Sequence, residues 1–153
     1  MKLPTHHGSF SPDGRWRLYS ALEKGRWDAF VRPVPPAVLG ITGTRAAAPF
    51  SAVQISSAGG VQPLWRSDGK EIFYLARSGM MMAVPVEIGE AAVRPGAPVA
   101  LFPTSLGMLI SFSREYEVSA DGKRFLMPVP ALDMQVDTPI TVIVNWPRLL
   151  EKK

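Results

Sequence analysis

Short apolar runs separated by polar turns cover most of this chain, and their spacing predicts strands rather than helices. Trp16-Arg17-Leu18-Tyr19-Ser20 and Ala29-Phe30-Val31-Arg32 are rich in strand formers and flank the polar turn Glu23-Lys24-Gly25-Arg26, which reads as a hairpin. The plan recurs further on. Val61 to Trp65 and Glu71 to Ala76 are strands joined through Asp68-Gly69; Ser78-Gly79 turns the chain into Met80 to Val86, and Pro98 to Phe102 follows as a fourth strand. Tyr116-Glu117-Val118 and Arg124 to Met127 flank a third such turn, and Ile140 to Trp146 is the most regular strand of all. Pro147 to Lys153 has room for a turn or two of helix begun by its proline.

One phrase returns three times. It reads Phe10-Ser11-Pro12-Asp13-Gly14-Arg15, then Trp65-Arg66-Ser67-Asp68-Gly69-Lys70, then Val118-Ser119-Ala120-Asp121-Gly122-Lys123, with the glycines 55 and 53 residues apart. Self-similarity at a fixed period marks repeat architectures, in which each unit stacks on its neighbours. Four short strands in about 50 residues is the grain of a propeller blade. The fold class expected is therefore all-β, a partial β-propeller of about three four-stranded antiparallel blades. The blades are placed at residues 1–57, 58–104 and 105–153. The first contains an Ala/Gly/Pro-rich stretch, 33–50, long enough to be an exposed loop; the last ends in the short helical tail.

The repeated carboxylates Asp13, Asp68 and Asp121 could be metal ligands or acid–base groups. Three equivalent turns explain them better. Asp bonds nearby backbone amides while Gly14, Gly69 and Gly122 take positive φ. These six are therefore expected to be structural turn residues. His6-His7 are the only histidines, with no further ligands at metal-binding spacing. Gly-x-Ser-x-Gly does not occur, and no Gly-Lys-Ser/Thr follows Gly59-Gly60. No catalytic, cofactor or metal residue is assigned, and no enzyme activity is expected. Trp27-Asp28 spells the WD dipeptide but lacks Gly-His at blade spacing, so chance accounts for it. Met80-Met81-Met82 is expected to alternate between the two faces of its sheet and pack against neighbouring blades.

Composition changes this picture little. Hydrophobic residues make up 46% of the 153, ample for a core, while 13 Gly and 15 Pro mean many turns. There is no cysteine, so thiolate chemistry is excluded and no compartment is read. The net charge is +4, but cations such as Arg17, Arg45, Arg77 and Arg94 are scattered and form no track interleaved with aromatics, so nucleic acid is not an expected partner. No apolar stretch approaches membrane-spanning length, and Met1-Lys2-Leu3-Pro4 opens no signal peptide.

Phe10 to Trp16 and Trp65 to Leu75 resemble the WD40-like repeats of TolB-type β-propellers. The resemblance extends through Val31-Arg32-Pro33, Gln54-Ile55-Ser56 with Gly59-Gly60, Met82 to Val86, Leu101-Phe102, Tyr116 to Ser119 and Ile140 to Trp146. It departs only over Pro36 to Ala52, where the family has a shorter connection. It implies the C-terminal portion of a bacterial propeller of the sort appended to serine/threonine protein kinases or DNA-binding regulators, a non-catalytic module for protein–protein interaction or ligand sensing. TolB-type propellers are periplasmic and the kinase-linked ones are expected outside the membrane, but these residues include neither a kinase nor a membrane segment, so no address is carried over. The repeat carries no catalytic residues in the family. The alternative is the gating propeller of a prolyl-oligopeptidase-type peptidase, which would need a hydrolase domain that these residues do not contain. Three blades do not close a ring, so the expected partners are a protein, together with missing blades or a second copy of the chain.

Overall fold

The computed structural model describes residues 5–35, 51–90, 92–106 and 114–128, and all regular structure within them is β. The first sheet is a four-stranded antiparallel meander of β1 (Thr5–Phe10), β2 (Trp16–Glu23), β3 (Arg26–Pro33) and β4 (Val53–Gln54), in that spatial order. Its central hairpin runs in unbroken register from Trp16↔Pro33 to Glu23↔Arg26. Lys24 and Gly25 close it with φ of 51° and 78°, the pair of positive values that a two-residue turn needs to match strand twist.

The second sheet contains β5 (Gly60–Trp65), β6 (Glu71–Ala76), β7 (Met80–Ile88), β8 (Val93–Pro95) and β9 (Val99–Pro103). Its fourth position is shared, which the sequence did not suggest. β7 is long enough that Val86 to Ile88 pair with β8 while Met80 to Ala83 pair with β9. The blade therefore has five strands where four were expected. In the third sheet the described strands are β10 (Glu117–Val118) and β11 (Phe125–Leu126). Ile140 to Trp146, the stretch 36–50 and the helical tail lie outside the described residues.

The first strands of the two sheets, each at a sheet edge, share an irregularity. Register slips between His6 and Ser9 in β1 and between Val61 and Leu64 in β5, two bulges 55 residues apart. The second places Gln62 at φ 53° and fully buried. Its backbone oxygen, freed from the ladder, accepts a bond from the Tyr116 hydroxyl at 2.8 Å, and its side chain accepts one from the Glu115 amide at 2.8 Å. The bulge so ties the second sheet to the segment leading into the third.

Alternation along the strands puts one apolar set on each face. Trp16, Leu18, Ala29 and Val31 of the first sheet pack against Trp65, Ile72, Tyr74 and Val84 of the second. The opposite face of the second sheet carries Phe73, Leu75, Met81 and Ala83, which meet Tyr116, Val118 and Phe125. Met81 is fully buried on that face while Met82 packs into the other, so the methionine run does divide between the two interfaces. Phe73 and Phe125 meet edge-to-face with centroids 5.2 Å apart. Phe125 is only half-buried, whereas Trp65 (7% exposed) and Phe73 (2%) are core. The three sheets are thus consecutive blade-like layers, each joined to the next by the face its strand alternation makes apolar.

Candidate functional site

The three Asp-Gly turns carry the repeated carboxylates. In the first, Ser11 Oγ donates to Asp13 Oδ1, the Arg15 amide donates to the same oxygen at 3.1 Å, and the Trp16 amide donates to Ser11 Oγ at 3.0 Å. The third repeats this atom for atom: Ser119 Oγ to Asp121 Oδ1, the Lys123 amide to Asp121 at 3.1 Å, the Arg124 amide to Ser119 Oγ at 3.0 Å. The second keeps the bond from the Lys70 amide to Asp68 at 3.0 Å but has Arg66 in place of the serine, its Nε 2.7 Å from Asp68 Oδ1 and its Nη1 on Glu71. Gly14, Gly69 and Gly122 sit at φ 72°, 73° and 74°, where a Cβ would be strained.

The turns also stack. A Cβ on Gly69 would lie 3.6 Å from Pro12 Cδ, one on Gly122 would lie 2.6 Å from Arg66 Cδ, and Ser67 Oγ donates to the Ala120 carbonyl at 2.6 Å. The three carboxylates therefore line one end of successive layers, each occupied with its own turn. The Arg66 bond, supported by the Lys70 amide, lowers the Asp68 pKa to about 2. Asp121 is lowered by its bonds from Ser119 and Lys123. At Asp13 partial burial acts the other way but is outweighed by bonds from Ser11 and Arg15. Carboxylates held this firmly ionised are poor proton donors at neutral pH.

Asp28, read in the sequence as half of a chance dipeptide, has a definite structural role. It is 3% exposed, and its Oδ1 accepts bonds from Ser56 Oγ at 2.8 Å and the Gly59 amide at 3.1 Å, while Arg26 Nε reaches Oδ2 at 2.8 Å. Ser56 Oγ in turn accepts the Ala29 amide at 3.0 Å. This buried carboxylate holds the link between the first and second sheets. No spacing rule could find it, because its partners lie 28 and 31 residues away.

The described residues also form an open groove of about 370 Å³ on the far face of the first sheet. Its cationic wall is Arg17 and Arg32, direct partners across β2 and β3. Its apolar wall is Phe10, Pro33, Val34 and Pro35. Both guanidinium groups lie beside the Tyr19 ring, 5.7 and 5.5 Å from its centroid, and Phe30 stacks on that ring at 5.9 Å. Burial raises the Tyr19 pKa despite the two cations, so the ring is a neutral platform at physiological pH. Nothing in the sequence pattern singles out this site; it appears once the strand register brings Arg17 opposite Arg32.

No protein-family model and no curated protein matches the chain. Among solved structures it is similar to TolB from Acinetobacter baumannii, at 20% identity and a TM-score of 0.45 over 80% of this chain. The match covers 26% of that protein, so the chain spans about a quarter of its length.

Proposed function

We propose that this chain is a β-propeller segment that binds a protein partner and carries no catalytic centre of its own. The observation that carries the reading is the use made of the repeated carboxylates. Acidic residues that recur in a sequence invite an enzymatic interpretation, yet each of these bonds its own turn and is held ionised at a separate layer. Catalytic pairs are arranged the opposite way, with two groups in one cleft whose environments push their pKa values apart. Stacked sheets with an open groove at one face suit recognition, in which a scaffold positions a few polar groups among apolar ones. Resemblance at the level of blades adds fold and not activity.

Panning a random-peptide phage library on the immobilised chain tests this. Convergent enrichment of peptides that then bind the soluble chain is the expected result. Failure of any sequence to enrich, or hydrolysis of peptides by the purified chain that is lost on substituting one serine, would overturn the reading.

A further inference from the structure

We infer that the groove on the first sheet binds a carboxylate of an acidic peptide segment from the partner, gripped between Arg17 and Arg32. This rests on the binding-module reading above and names the ligand chemistry of one site within it. Counting 55 residues on from Phe10 and Arg17 gives Trp65 and Ile72, and 53 further gives Val118 and Phe125. In the second sheet Ile72 pairs with Val84, and both pack with Trp65 into the layer before. In the third, Val118 and Phe125 do the same. The fold thus wants apolar side chains at these positions, and twice it has them.

In the first sheet the same positions hold an exposed Phe10 (58%) and the Arg17↔Arg32 pair. Like charges directly opposite on a sheet are destabilising. Among the described residues no carboxylate ion-pairs with either arginine; their contacts are with the Tyr19 ring. Gly8 makes room for one of them, since a Cβ there would lie 3.1 Å from Arg17 Nε. Ser9, which lines the same groove, keeps its hydroxyl buried with no hydrogen-bond partner among the described residues. Two cations held against a neutral ring, with an unused hydroxyl beside them, are a receptor for an anion.

The walls select which anion. Planar guanidinium groups match a carboxylate with two parallel hydrogen bonds. Phe10, Pro33, Val34 and Pro35 offer a stiff apolar surface next to the charge, suited to the side chain that follows an Asp or Glu in a peptide. A nucleic acid requires a longer track of cations along its backbone, and this groove offers two that face an apolar wall.

The test uses the whole chain, the peptide library, and the double variant R17I/R32V, which copies the apolar pair of the second sheet. Enriched peptides should carry Asp or Glu beside an apolar residue. A fluorescein-labelled copy of the most enriched one should bind the wild-type chain in an anisotropy titration. Its Asn/Gln counterpart should bind more weakly by about tenfold or more, and R17I/R32V should lose affinity for the acidic peptide by a similar factor. The melting temperature of R17I/R32V should equal or exceed the wild type, because a like-charged pair has been removed. Peptides without carboxylates that bind R17I/R32V as well as wild type would overturn the proposal while leaving the binding-module reading intact. So would a lowered melting temperature in R17I/R32V, which would make the arginines structural, or tighter binding of a duplex oligonucleotide than of the peptide. A library from which nothing enriches removes both readings together.

Discussion

The first and second sheets share a turn, a bulge and a meander, yet they use their equivalent faces differently. On the second sheet Trp65, Ile72 and Val84 are buried against a neighbouring layer. On the first, Phe10, Arg17 and Arg32 line an open groove. The turn and bulge recur at both places, but the first sheet itself covers the face of the second, whereas among the described residues no layer covers the groove face of the first. That face also carries two arginines where the second has Ile72 and Val84. A second contrast sits in the turns. Ser11 and Ser119 bridge their aspartates to the backbone, whereas at the matching position Arg66 reaches Asp68 and Glu71. What recurs without exception is the Asp-to-amide bond and the left-handed glycine. The repeat therefore conserves the bonds that shape the backbone and leaves free the side chains that face outward.

The largest effect is expected from the core side of this contrast. Phe73→Ala should destabilise the chain by about 3–5 kcal/mol in urea melts, as truncation of a buried Phe does. Phe10→Ala, at the exposed groove, should stay within about 0.5 kcal/mol of wild type. Equal costs would dissolve the distinction between the two faces.

Next in size is the buried joint between the sheets. Asp28→Ala strands the Ser56 hydroxyl and the Gly59 amide away from water, and a loss of about 1–3 kcal/mol should follow. Hydrogen exchange read on the same variant should speed up first at Ala29 and Gly59, the amides this network protects. Exchange that quickens uniformly would mean that Asp28 has no local role.

The turns come third. Gly14→Ala and Gly69→Ala both force an L side chain to a positive φ, at about 1–2 kcal/mol each. Gly69→Ala should be the worse of the two, because its Cβ meets Ile88 Cδ1 at 3.2 Å while the space beside Gly14 is open. Identical thermal shifts would show that the Ile88 side chain gives way to the added methyl at no cost.

The smallest effect, and the sharpest distinction between the turns, is in their titration. Asp68 lies lowest, at about 2 against an ordinary 3.8. A carboxylate lowered by folding contributes stability that is fully present above pH 3.8 and is lost as the pH falls through about 2. Carboxyl-carbon NMR should find the Asp68 midpoint near that value, and Arg66→Ala should raise it toward the ordinary one. An unmoved midpoint would separate Asp68 from Arg66.

Much of the architecture could be read from the chain because the physics involved is local. Asp13-Gly14, Asp68-Gly69 and Asp121-Gly122 announce turns through their own conformational preferences, and the continuous apolar runs Ile72 to Leu75 and Met80 to Val86 announce buried strands. The sharing of β7 between β8 and β9 was not legible, since pairing partners are chosen by the sheet and Val93–Pro95 is too short to show a period. The bulges at His7–Gly8 and Gln62–Pro63 were hidden for the same reason: a register slip exists only between two strands. Asp28 and the arginine groove lay beyond reach on stronger grounds. Asp28 is justified only by Ser56 and Gly59, and Arg17 and Arg32 become a pair only when β2 and β3 close in register. Sequence alone determined the period, the turns and the strands, because those follow from each residue and its near neighbours. Tertiary structure decided which faces meet and which stay open, because burial and charge pairing depend on residues that the chain keeps far apart until it folds.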